Sequence, residues 1–169
     1  LLTFVRPGEL RNAPWSEFNF ENALWQIPAH RMKKKRIHNV PLSRQTLELL
    51  GHLREITGNN EYLLPGMHRS HQPISDATFS KGLHRIGYKD KTVPHGFRHT
   101  ASTILNDHGF NKDHIEMQLA HASDNKIRSI YNHAEYLDDR REMMQWWADF
   151  IDEKRAQYVP DDIKGSQDV

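Results

Sequence analysis

The clearest periodic pattern in the chain is SRQTLELLGHLREITG, residues 43–58. Leu47, Leu50 and Leu53 recur at helical spacing between a serine suited to cap a helix and a glycine suited to end one, which predicts an amphipathic helix. Ahead of it the period shortens. SEFNF, ALWQI and IHNVPL are brief, rich in aromatic or β-branched residues, and separated by ENA and by the polar run PAHRMKKKR. They predict a small antiparallel sheet of about three strands. Beyond residue 58, NNEYLLPGMHRSHQPIS is punctuated as a loop, and the helical period returns over residues 76–87, 95–110, 111–121 and 124–135. The final helix, 136–156, carries Met143, Trp147, Phe150 and Ile151 on one stripe. At the other end, LLTFV reads as the tail of an apolar helix. RPGEL reads as a short helix with Pro7 in its first turn and Glu9 near its positive end. The expected fold class is α+β: mainly α with a small antiparallel β-sheet.

At 169 residues the chain suits one domain, expected over 1–156, with 157–169 as a loose polar tail. No apolar run approaches the roughly 18 residues of a membrane span, and the opening residues lack the features of a secretory signal. The absence of cysteine rules out disulfides and thiolate nucleophiles, fits a cytoplasmic setting, and leaves oxygen nucleophiles, His, Lys, carboxylates and Arg for any chemistry. The net charge of +1 hides an asymmetry: residues 1–100 hold 15 Lys and Arg against 8 Asp and Glu, whereas residues 101–169 hold 8 against 14. A basic front half is compatible with a polyanionic partner, and equally with two differently solvated faces.

Four local features carry candidate chemistry, and each has a plain alternative. In HGFRHT, His95 and Arg98 share a helix face. Such a pair suits an anion, because the guanidinium fork donates to phosphate oxygens and the imidazole moves protons near neutral pH. His95 and His99 also have zinc-pair spacing, but Gly96 stands where a metalloprotease needs Glu. RPGEL is by itself a turn and helix with a surface arginine. RMKKKR is by itself a solvated hairpin tip, with DNA-backbone contact as its next role. The tyrosines of KIRSIYNHAEYLDD, Tyr131 and Tyr136, are by themselves amphipathic packing residues.

Taken in order, R-P-G-E-L, a lysine in a basic β-hairpin, H-x-x-R, L-A-H and a following tyrosine resemble the tyrosine recombinase, or phage integrase, family, closest to the integrases of bacterial prophages and genomic islands. The resemblance runs from Leu1 to about Ala156 and implies the DNA breaking-rejoining catalytic fold. It also implies a phosphate pocket in which Arg6 and Arg98 clamp the scissile phosphate, His95 assists proton transfer, and His121 binds a non-bridging oxygen. By the same resemblance Lys33 protonates the leaving 5′ oxygen, Glu9 supports the pocket, and Tyr131 is the nucleophile that forms a 3′-phosphotyrosine. Tyr136 is left to pack or cap. Lys34, Lys35 and Arg36 would contact DNA, and Lys34 and Lys35 stand as rivals to Lys33.

The physics of such a site is consistent with those residue types. Attack on a phosphodiester builds negative charge on the phosphoryl oxygens, which preorganised guanidinium groups stabilise. A free tyrosine titrates near pKa ~10 and needs a base or a cationic field to become nucleophilic. The resemblance further implies double-stranded attachment-site DNA as partner, a homotetramer on two duplexes, accessory DNA-bending proteins of host or phage, no cofactor or metal, and a nucleoid-associated location. The abrupt opening LLTFV carries the expectation of a chain truncated within its catalytic domain, with weakened DNA binding. Competing readings are a DNA-binding regulator of the same fold that does not cleave, a type IB topoisomerase, and a metal binder built on the twelve histidines, among which His68 and His71 also have ligand-like spacing.

Overall fold

A computed structural model describes residues 1–121 and 136–158. The predicted helix 124–135, with Tyr131, and the tail from residue 159 lie outside the described residues.

The chain forms α1 (Pro7–Arg11), β1 (Phe18–Asn19), β2 (Leu24–Ile27), β3 (His38–Pro41), α2 (Arg44–Thr57), α3 (Thr78–Arg85), α4 (Gly96–Asp107), α5 (Lys112–Gln118) and α6 (Leu137–Gln157). Fold class is as expected: helical, with one antiparallel sheet in the order β1-β2-β3. Register pairs Phe18 with Trp25, and Trp25 in turn with Val40. Trp25 and Ile27 are fully buried while Gln26 between them is exposed, the alternation of a sheet with one face on a core.

Only the second half of SEFNF is strand. Trp15–Glu17 winds into a 3-10 turn, which brings the Glu17 carboxylate inward to accept from Trp25 Nε1 at 2.9 Å and from Arg31 Nη1 at 2.8 Å. The α2 helix follows its prediction closely. Ser43 Oγ accepts from the Thr46 N–H, Leu50 is buried with Leu47 and Leu53 packed beside it, and Gly58 closes the helix with its N–H on the Arg54 carbonyl. A Cβ at Gly58 would collide with that carbonyl oxygen.

Two apolar cores result. One joins the inner sheet face to α2 through Trp25, Ile27, Val40, Leu42 and Leu50. The other packs α4, α5 and α6 through Leu105, Ile115, Met143, Met144 and Trp147. The stripe expected on the last helix is therefore core, with Met143 and Trp147 buried and Phe150 and Ile151 partly so.

LLTFV corrects its expectation. It is not the end of a helix; the backbone turns at Phe4, with φ of 57°. The reason is that Phe4 belongs to the helical core, edge-on to Trp147 with ring centroids 5.4 Å apart, while the adjacent Val5 belongs to the sheet core. These residues bridge two cores, and a continuous helix does not send neighbours to both.

Candidate active site

The site begins at the junction of LLTFV with α1. Arg6 is the N-cap residue and Pro7 opens the helix, where its missing N–H costs nothing. Glu9, buried, accepts the Arg6 backbone N–H at 2.7 Å through one oxygen and Arg6 Nη1 at 2.8 Å through the other. Glu9 thus grips Arg6 at both its backbone and its side chain. The remaining arm of Arg6, Nη2, reaches the Ala120 carbonyl at 3.5 Å.

Arg98 arrives from α4, only 5% exposed. Its Nη1 donates to the Phe4 carbonyl and its Nη2 to the Leu119 carbonyl at 2.7 Å. Arg6 and Arg98 therefore end on consecutive carbonyls just beyond α5. Burial, and after it the charge of Arg6, lowers the Arg98 guanidinium to about 10, with Glu9 opposing. It remains a cation at neutral pH. Its hydrogen-bond acceptors among the described residues are neutral carbonyls.

An open cleft of about 610 Å³ is lined by Arg6, Glu9, Asn12, Arg31, Lys33 and Tyr62, with the backbone of Gly8. Of the three hairpin lysines, Lys33 alone lines it; Lys34, Lys35 and Arg36 are exposed beyond it. Lys35, at the loop's tip with φ of 52°, has its Nζ 3.4 Å from the His30 carbonyl oxygen.

The two predicted histidines are both exposed. His95 is exposed at the N-cap of α4, one turn before Arg98. His121 directly follows Ala120, and its Nδ1 lies 2.8 Å from a Glu116 oxygen, so its ring is turned along α5. The structure thus brings Arg6 together with Glu9 and Arg98 and, separately in the cleft, with Lys33, while His95 and His121 are exposed. Tyr131 lies outside the described residues. Tyr136 packs as expected, with its ring 4.7 Å from that of His114.

Sequence reasoning missed three supporting side chains. Arg31, read as part of a solvated basic run, is pulled in by Glu17 and also donates to the Glu9 carbonyl at 2.5 Å. His38 is buried on β3, its imidazole lowered to about 3 by burial first and by the charge of Arg140 next. Arg140 itself is 3% exposed on α6. The hydrophobic phase of the last helix, in which position 140 lies one turn ahead of Met143 and Met144, was the signal available for it. Among the described residues no three His, Asp or Glu side chains gather as metal ligands, and no helix is long and apolar enough to cross a membrane.

With this geometry in view, the comparison with known sequences is direct: the phage integrase family profile matches residues 1–137. The chain belongs to the phage integrase family. Within the family it is 45% identical to the integrase of Enterobacteria phage P4 over 175 residues, covering 94% of this chain and 40% of that protein. It is 47% identical to the prophage integrase IntS of Escherichia coli K12 over 153 residues, covering 90% of this chain and 40% of that one. The chain thus spans about 40% of the length of these relatives. Its fold is similar to that of XerA recombinase, with a TM-score of 0.59 at 23% identity over 76% of this chain and 51% of that one. It is also similar to the Tn1549 transposon integrase solved with transposon right-end DNA, with a TM-score of 0.55 at 17% identity over 83% and 54% of the two chains.

Proposed function

We propose that this chain is the catalytic part of a site-specific DNA recombinase that integrates or excises a prophage or genomic island. The observation that carries the reading is the convergence of Arg6 and Arg98 on the consecutive carbonyls of Ala120 and Leu119, with Arg6 also lining the cleft that Lys33 lines. Two fixed guanidinium groups in a partly dry setting supply the positive charge that other phosphoryl-transfer sites draw from a metal ion.

In the reaction, the Tyr131 hydroxyl oxygen attacks the scissile phosphorus as its proton passes to His95. The P–O5′ bond breaks, a 3′-phosphotyrosine forms, and the departing 5′ oxygen takes a proton. Lys33 gives that proton, a reading supported by its lining the same cleft as Arg6, while Arg6 and Arg98 hold the non-bridging oxygens as their charge grows. Glu9 keeps Arg6 in its rotamer. His95 and His121 complete the pocket once DNA is present, and Lys34, Lys35 and Arg36 meet the backbone beyond the cut. The ester conserves the energy of the broken bond, so the reverse attack by a 5′ hydroxyl on a second duplex rejoins the strands. Double-stranded attachment-site DNA is the partner, bound by a homotetramer with accessory bending proteins in the bacterial cytoplasm.

The test is covalent trapping by the full-length protein on a duplex carrying a nicked attachment site. The unaltered protein and Tyr136→Phe should form a protein–DNA adduct stable to denaturant, and Tyr131→Phe should not. An adduct lost with Tyr136→Phe and kept with Tyr131→Phe would overturn the assignment.

A further inference from the structure

Arg140 sits on the first turn of α6, far in sequence from both catalytic arginines, yet it is almost completely buried. Its Nε and Nη2 converge on Gln118 Oε1 at 3.0 and 2.6 Å, and Nη2 also donates to the Asn39 carbonyl of β3 at 2.5 Å. Gln118, with no exposed surface, passes the connection on: its Nε2 donates to the Thr3 carbonyl at 3.0 Å. The next residue on each side is held by Arg98, which donates to the carbonyls of Phe4 and Leu119. Arg98 therefore fastens this pair of backbone segments directly, and Arg140 acts one residue away on each, through the Gln118 side chain. Arg6 then leans on the carbonyl of Ala120, whose backbone is left-handed with φ of 50°.

We infer that Arg140 is a positioning residue for DNA cleavage, fixing through Gln118 and Thr3 the backbone carbonyls on which Arg98 and Arg6 rest. The inference builds on the recombinase reading above. Burying a guanidinium among neutral acceptors is costly, and an apolar side chain of similar length would fill the space without that cost. What an apolar residue does not supply is a forked donor that registers β3, α5 and the N-terminal segment against one another. Misplacing a transition-state contact by about 1 Å costs on the order of 100-fold in rate, so small shifts of these carbonyls are large in chemistry.

The experiment compares Arg140→Met, Arg140→Lys and the double variant Arg140→Met/Gln118→Leu in the full-length protein, measuring thermal stability, DNA affinity and the rate of adduct formation. Arg140→Met alone strands the Gln118 and Asn39 carbonyls and should lose both stability and cleavage. The double variant removes the stranded side-chain amide and should recover stability in part. Its cleavage is expected to stay on the order of 10- to 100-fold slow, with DNA affinity nearly unchanged. Arg140→Lys, charged but unforked, should cleave at an intermediate rate. Cleavage that returns in step with stability, or that falls only with the folded fraction, overturns the inference and leaves the recombinase reading standing. An unaltered protein that forms no adduct sinks both.

Discussion

The Glu9 carboxylate holds Arg6 at two points, one oxygen on the backbone N–H at 2.7 Å and the other on Nη1 at 2.8 Å. One acidic side chain thus caps α1 and orients a pocket cation. Replacing it separates those jobs. Glu9→Gln retains an oxygen for the backbone N–H and should cost little stability while loosening the Arg6 side chain. Glu9→Ala loses the cap as well and should cost about 1–2 kcal/mol. Urea unfolding and the adduct assay, run side by side, read the two effects.

Lys33 and its neighbours differ in their relation to the cleft, and the difference is measurable. Lys33→Ala should slow adduct formation with DNA affinity little changed. Lys34→Ala and Lys35→Ala should instead lower affinity and reduce the slope of log affinity against log salt by about 1 for each phosphate no longer neutralised. Equal effects of all three on cleavage would place the proton donor elsewhere.

His38 predicts a pH dependence. Its native imidazole is held near 3, against 6.5 unperturbed, by burial and by Arg140, and less so by Arg98 and Arg6; its approach to the Gln118 backbone works the other way. A depressed value means the unfolded chain binds the proton more readily, so acid favours unfolding. His38's contribution is intact above about pH 6.5 and is lost as pH falls toward 3. Stability curves of the unaltered protein and His38→Gln should therefore converge or cross between those limits and run parallel above them. Parallel curves throughout would contradict the burial described.

Gly58 closes α2 where a side chain has no room, since a Cβ would strike the Arg54 carbonyl oxygen. The obstacle is backbone, which yields poorly. Gly58→Ala should lower the urea midpoint by the equivalent of about 1–3 kcal/mol without changing the slope.

Features that depend on near neighbours were legible in the chain. The Leu47, Leu50, Leu53 period, the Ser43 cap, the alternation around Trp25 and the end of α3 at Gly87, with φ of 84°, all follow from local rules. The nearness of Arg6 to Glu9 and Arg98 was marked by the ordered motifs of the family resemblance and not by local rules. The residues that escaped notice take their roles from partners distant in sequence. Arg31 looks solvated until Glu17 is folded toward it, and Arg140 looks like one more charge on an amphipathic helix until Gln118 and Asn39 reach it. LLTFV misled for the same reason: its apolar letters report burial without saying that two cores share it.

That sharing bears on how the molecule comes into being. Phe4 meets Trp147 ring to ring, so it finds its partner only when α6, made after it, has left the ribosome. Until then Phe4 and the facing sides of α4 and α5 lack their cover, and the Arg98 clamp has one of its walls unsupported. The sheet core, whose buried members all lie between Val5 and Leu63, can order before α6 is made; the helical core waits for it.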